Sequence, residues 1–182
     1  KYDALATLTN KTVVKKRQGV TRDNQNPILN NLVAALGTNN SQLETTFVSG
    51  VFKLEKGKHL QKSDRSKVLI HEKLAAQNHL KVGDKFKLQG ISLRDGDAKN
   101  GNEIEVEVAG IFSGKKEEKQ TGLSSDATEN TLYLDYESSQ RLAGYKATDY
   151  QVTSAVYYVA NPKNIDQVVT AVKKAPIDWS KL

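Results

Sequence analysis

The chain has 182 residues, 37% hydrophobic and 26% charged, with a formal net charge of +6. Its length suits one compact domain or two small ones, and no apolar run nears the length of about 20 residues that a membrane-spanning helix needs. No signal-peptide core opens the chain, and the absence of cysteine excludes disulfides, thiolate catalysis and cysteine-ligated zinc.

Asp3 to Leu8 reads as the tail of a helix, and Thr12 to Thr21 as a polar-flanked strand. Asn31 to Leu36 before Gly37 suits either a short helix with a glycine cap or a strand, since periodicity does not type so short an apolar run. Leu43 to Leu54 reads as an extended piece. Val68, Leu69 and Ile70 form a short apolar strand that leads into a helical turn or two, with Leu74 and Ala75 apolar. After the tight turn Lys81-Val82-Gly83-Asp84, residues alternate at period two. Phe86 and Leu88 mark one half-buried strand; Ile104, Val106 and Val108 mark the next. The polar stretch Arg94 to Asn102 between them is predicted as a hairpin loop.

Ser113 to Asn130 shows no apolar periodicity and reads as a long polar loop, a length usually functional or mobile, with a floppy surface excursion as the plainer reading. Asn130 to Leu134 is a strand, and Asp135 is placed to cap a helix ending at Gly144 with Leu142 and Ala143 facing inward. Gln151 to Ala160, β-branched and aromatic, is the strongest strand pattern in the chain. In the last helix Asn161 is the cap, Pro162 the first helical residue and Asp166 an acid near the positive end. Ile165, Val168, Val169 and Val172 form one apolar stripe, Lys173 and Lys174 complement the negative end, and Pro176 stops the helix.

The run from Gly57-Lys58-His59-Leu60 through VLIHEKLA, LKVGDK and VAGIF to Asn130-Thr131-Leu132-Tyr133 resembles the extracytoplasmic core domain of MacB/FtsX-type ABC transporter permeases. The resemblance covers about Phe47 to the C-terminus and is nearest to streptococcal Vex-type, Gram-positive permeases. Aligned to that family, Asn31 to Leu36 is a strand.

The resemblance implies an α+β fold of two subdomains. A porter-like βαβ-type subdomain would be formed by residues 1–54 and 130–182, with a small α/β subdomain, 55–129, inserted in it. It also implies that the membrane helices lie outside these residues, with the start of the chain and Ile177 to Leu182 as two stalks close together at one end. Trp179 is then either an interfacial anchor or a core residue closing the domain.

Candidate chemistry is sparse. His71-Glu72 begins like a zinc-protease helix, but Ala75 stands where the second histidine belongs; His59, His71 and His79 are read as surface or capping residues. Asp95-Gly96-Asp97 with Gly101 would put Lys99 among calcium ligands, which rules out an EF-hand register. Ser124-Ser125-Asp126 has no nearby histidine base. Glu103 and Glu105 point the same way on a solvated face. The basic clusters, Lys15-Lys16-Arg17 and Lys115-Lys116, form no stripe with aromatic platforms, so nucleic acid is not expected as a partner.

No catalytic, cofactor-binding or metal residue is therefore assigned, no cofactor is expected, and an enzyme is not expected. What the resemblance implies is a domain at the extracellular face of the cell membrane. It would transmit ATP-driven motion and engage a membrane-fusion-type adaptor, serving export of, or resistance to, peptides, toxins or antibiotics. A cytoplasmic ATPase subunit, reached through the membrane helices, and a second permease subunit would be its other partners. The alternative is a secreted or surface binding module unrelated to transport.

Overall fold

The computed structural model describes residues 1–14, 27–94 and 97–175. The order is β1 (Tyr2–Leu8), β2 (Leu32–Thr38), α1 (Thr45–Val48), β3 (Phe52–Gly57), β4 (Lys67–His71), α2 (Glu72–Gln77), β5 (Lys85–Arg94), β6 (Asp97–Gly114), β7 (Thr131–Asp135), α3 (Tyr136–Leu142) and α4 (Ile165–Lys174). The class is α+β.

All seven strands share one sheet, ordered β3-β6-β4-β7-β2-β1-β5, and β5 also pairs with β6. That extra pairing closes every strand except β3 into a barrel. Closure removes the exposed edges of those six strands, of the kind that invite other chains, and leaves β3 as an edge strand paired only with β6 among the described residues. In the ring β7, β2 and β1, from 1–54 and 130–182, form one contiguous arc and β5, β6 and β4, from 55–129, the other; the arcs join at β4–β7 and β1–β5.

Period-two side chains fill the barrel. Ala4 opposes Ala35, Ala6 opposes Val33, and Ala35 neighbours Leu132. Leu132 pairs with Ile70, and Leu134 with Val68. Phe86 and Leu88 face Val106 and Ile104 across the hairpin. All of these but the partly buried Ala4 are buried in one core cluster, to which α2 adds Leu74 and Ala75, and α3 adds Leu142.

A second cluster lies outside the barrel wall: Leu69, Tyr133, Ala109 and Phe112, with Phe52 and Leu60 and the flanking Phe47, Leu54 and Leu36. Its rings meet edge-on or tilted, 4.9 Å between Phe52 and Phe112 and 5.7 Å between Phe112 and Tyr133, within the range where aromatic pairs attract. Sandwiched between two cores, β7 is buried at every residue and β4 at all but Lys67. This explains their unbroken apolar sequences.

In β6 the register slips, Val68 pairing with Val108 but Leu69 with Gly110. This is a β-bulge at Ala109. Before it Val106 and Val108 face the barrel; after it Ile111 does, while Phe112 turns to the outer cluster.

Several expectations are corrected. Asp3 to Leu8 is not helical but lies within β1, because its small and apolar residues fill the barrel interior at period two. Leu43 to Leu54 is not one extended piece: a 3-10 turn (Ser41–Leu43) and α1 precede β3, so that Phe47 can roof the outer cluster. Arg94 to Asn102 is not a wide loop, since ladder pairing continues to Arg94 opposite Asp97. Ala143 is exposed, although Leu142 is buried.

The strand expected at Gln151–Ala160 is absent: among the described residues only the backbones of Thr153 and Ser154 bond to backbone outside this segment, at Lys1, just before β1. Most of the Thr12–Thr21 strand, Lys15-Lys16-Arg17, Asp95-Gly96, Pro176 and the Ile177–Leu182 stalk with Trp179 lie outside the described residues. Of Thr12 to Val14, none is in a strand; Val13 is buried in the barrel core.

Other expectations hold. Asp135 caps α3, its Oδ1 accepting from Ser138 N at 3.0 Å. Asn161 Oδ1 accepts from Lys163 N at 3.0 Å, with Pro162 opening the 3-10 turn that runs into α4. Asn31 to Leu36 is mostly β2.

Candidate functional site

The histidines are dispersed. His71 is buried; its Nδ1 accepts from Lys73 N at 3.2 Å as the cap of α2, and its Nε2 lies 3.0 Å from Gly114 O. His59 Nδ1 lies 3.0 Å from Ser41 Oγ, its ring is edge-on to Phe47, and burial holds its pKa below the usual imidazole value. His79 is exposed, in the left-handed region at φ 54°. Among the described residues no three His, Asp or Glu side chains gather where a cation would sit.

The 113–130 stretch is anchored rather than floppy. Ser124 Oγ donates to Leu32 O at 2.8 Å, so the serine of the supposed hydrolase triplet is committed to β2. Thr128 N donates to Glu118 Oε1 at 3.0 Å, and the fully buried Asn130 donates to Ser124 O and accepts from Val14 N. Besides Gly114 and Lys115 at its start, the exposed residues of the stretch are Glu117 and Lys119 to Gly122, at its tip.

On the outer face of the hairpin, acids of β6 meet lysines of its neighbours: Lys87–Glu103 at 2.7 Å, Lys85–Glu105 at 3.9 Å and Lys67–Glu107 at 2.5 Å. The lysine hydrogen bonds hold the Glu103 and Glu107 carboxyls below their ordinary range. Glu103 and Glu105 do point the same way, both exposed. Exposed pairs of this kind add little stability. The three acids, with Lys67, Lys85, Arg65 and Arg141, line a shallow groove of about 470 Å³.

Recessed polar ground lies where β1 begins. Glu44, though buried, accepts from Thr38 Oγ1 at 2.6 Å and pairs with Lys1 Nζ. Beside it a recess of about 210 Å³ is lined by Asp3, Thr46, Tyr133 and Lys116. Burial pushes the Tyr133 phenol up to about 12 and lowers the Lys116 ammonium, with Lys119 adding repulsion. The neighbouring cavity, about 380 Å³, opens between Asn39 to Glu44 and Val152 to Tyr158.

Nothing in this ground pairs a nucleophile with a base; Thr46 and Tyr133 hydroxyls bond each other. The sequence reading passed over Glu44, whose only signal is an acid set three residues before Phe47 in an apolar-flanked segment.

Comparison with known proteins follows from this fold. The sequence profile described as "MacB-like periplasmic core domain" matches residues 2–175. A Bacillus subtilis (strain 168) protein described as "Uncharacterized ABC transporter permease YclI" is 31% identical over 152 residues. The alignment takes in 79% of this chain and 29% of that protein, so the chain spans less than a third of its relative's length. No described helix is long and apolar enough to cross a membrane.

Proposed function

Because the chain belongs to the family of MacB-like periplasmic core domains of ABC transporter permeases, we propose that it is the rigid extracellular body by which such a permease passes ATP-driven motion outward. The family is one of permease domains and not of classical enzymes. In this reading a separate cytoplasmic ATPase subunit supplies the energy, and membrane helices elsewhere in the polypeptide carry the movement. The barrel then moves as a unit beside a second permease subunit.

The observation that carries this reading is the closed ring with β4 and β7 held between two apolar cores. Interiors packed on both sides have low compressibility and transmit displacement. The exposed tip of the 113–130 stretch is the adaptor contact in this proposal. Peptides, toxins or antibiotics are the proposed cargo, with the cell membrane's outer face as location. The division into 1–54 with 130–182 and 55–129 belongs to the same proposal.

The chain has no cysteine, so a label introduced into this domain meets no competing thiol within it, and the test uses the full-length permease with its ATPase after replacement of any cysteine elsewhere. A pair at Lys53→Cys and Glu105→Cys should keep its separation through the ATP cycle. A label at Lys53→Cys should shift relative to one on a membrane helix. A changing internal distance, or an immobile domain, would reject the lever. Replacing Glu117, Lys119 and Gln120 by Ser should weaken adaptor capture, and full retention would remove this tip as the contact.

A further inference from the structure

Gln151 to Ala160 has the composition of a strand but no partner strand, and two bonds show where one belongs. The Lys1 nitrogen donates to Ser154 O at 2.9 Å, and Thr153 N donates to Lys1 O at 2.9 Å. Thr153 and Ser154 together oppose one residue of the β1 line, which is antiparallel pairing with a bulge.

Beyond Ser154 the pairing stops: among the described residues the peptide groups of 155–160 bond to no other backbone. Val156, Tyr157 and Tyr158 are 53%, 56% and 49% exposed. Tyr157 and Val159 line one side of an apolar groove of about 600 Å³, whose other side is the α4 stripe of Ile165, Val168, Val169 and Val172. Tyr158 reaches elsewhere, its hydroxyl donating to Leu43 O at 2.6 Å. Successive side chains directed to different neighbours are what a strand presents.

We propose that residues 155–160 are a strand completed by an extended segment collinear with β1 and upstream of Lys1 in the longer permease polypeptide. The two strands run antiparallel, and their sheet is the floor on which the α4 stripe packs. Continuity with the Lys1–Thr153–Ser154 bonds sets the direction and the register. It also sets the parity: Ser154 faces β1, so Val156, Tyr158 and Ala160 turn their peptide groups to the same edge. The inference rests on the chain being one part of a permease, and the relative's much greater length leaves polypeptide to supply the segment.

Amide hydrogen exchange at residue resolution on the full-length permease in lipid nanodiscs tests it. Val156, Tyr158 and Ala160 should exchange about 100-fold more slowly than Ala155, Tyr157 and Val159. Tyr158→Pro should abolish protection at Val156 and Ala160 while Leu69 and Tyr133 stay protected. Free exchange at all six positions overturns the proposal, as does protection of the odd-numbered ones. Protection lost on dilution would assign the edge to a second copy and equally overturn it. A negative result leaves the lever reading intact, because that is read from ATP-dependent label distances.

Discussion

Thr46 Oγ1 stands 2.7 Å from Tyr133 Oη, tying α1 to the middle of β7 beneath the ring of Phe47. The phenol is the one polar tip in the outer aromatic cluster. Its partner comes from a helix of only four residues that has little stability of its own. The roof over this cluster is thus held by ring packing and one hydroxyl pair.

Burial raises the Tyr133 pKa from 10.0 to about 12. The neutral phenol is favoured in the fold, so its contribution is complete below pH 10 and is lost as pH rises through about 12. Stability should decline over that window by roughly 1.4 kcal/mol per pH unit from this group. Urea unfolding at pH 9, 10 and 11 should show the slope, and Tyr133→Phe should flatten it. An unchanged slope in the variant would assign the loss to other groups.

Asn130 is fully buried and joins three segments through Val14 N and Ser124 O. Asn130→Ala leaves the Val14 amide without its acceptor, while Ser124 O still accepts from Ala127 N, at a cost of roughly 1–3 kcal/mol. The Val14 amide should also exchange faster. Loss of less than 1 kcal/mol in chemical denaturation would contradict this (the lower bound for one unsatisfied buried group is about that).

Gly57 and Gly83 both have positive φ, 77° and 94°, but a Cβ at Gly57 would come within 2.2 Å of Ala109 O, while one at Gly83 meets open space. Gly83→Ala should therefore cost about 1–2 kcal/mol, the left-handed penalty alone. Gly57→Ala should cost clearly more, because β3 must lift from the bulge. Equal melting-temperature losses would be the contrary result.

The arc of β7, β2 and β1 is bonded to the arc of β5, β6 and β4 at two seams and shares one core with it, which favours a single cooperative transition for the barrel. Fluorescence cannot report on it alone, so exchange of Leu69, Ala35 and Leu132 amides should be followed through denaturant. Coincident opening is expected. Separate opening of Leu69 from the other two would support two subdomains.

Legibility in the sequence followed how local the cause was. Asp135 and Asn161 could be read as caps because capping is settled within three residues. The hairpin of β5 and β6 was legible from alternation. Asp3 to Leu8 misled because Ala and Leu favour helices in isolation. Here Ala4 and Ala6 are chosen for size, lying beside Ala35 and Val33 of the adjacent strand on the barrel's inner face. Gln151 to Ala160 misled in the opposite sense: strand composition does not make a strand without an edge to bond. Glu44 and the Thr46–Tyr133 pair escaped because their partners, Thr38 apart, come from distant sequence.

The extra residue at Ala109 acts as a splice in β6. Shortening the chain by one at Ala109 or Gly110 would leave every side chain directed at its own core, straightening the strand without inverting it. A one-residue deletion elsewhere between Ile104 and Phe112 would swap inside for outside over the remaining strand. Between Ile104 and Phe112, length variation is therefore tolerable at a single point, and a bend that looks like an irregularity is the place where the two cores can be uncoupled.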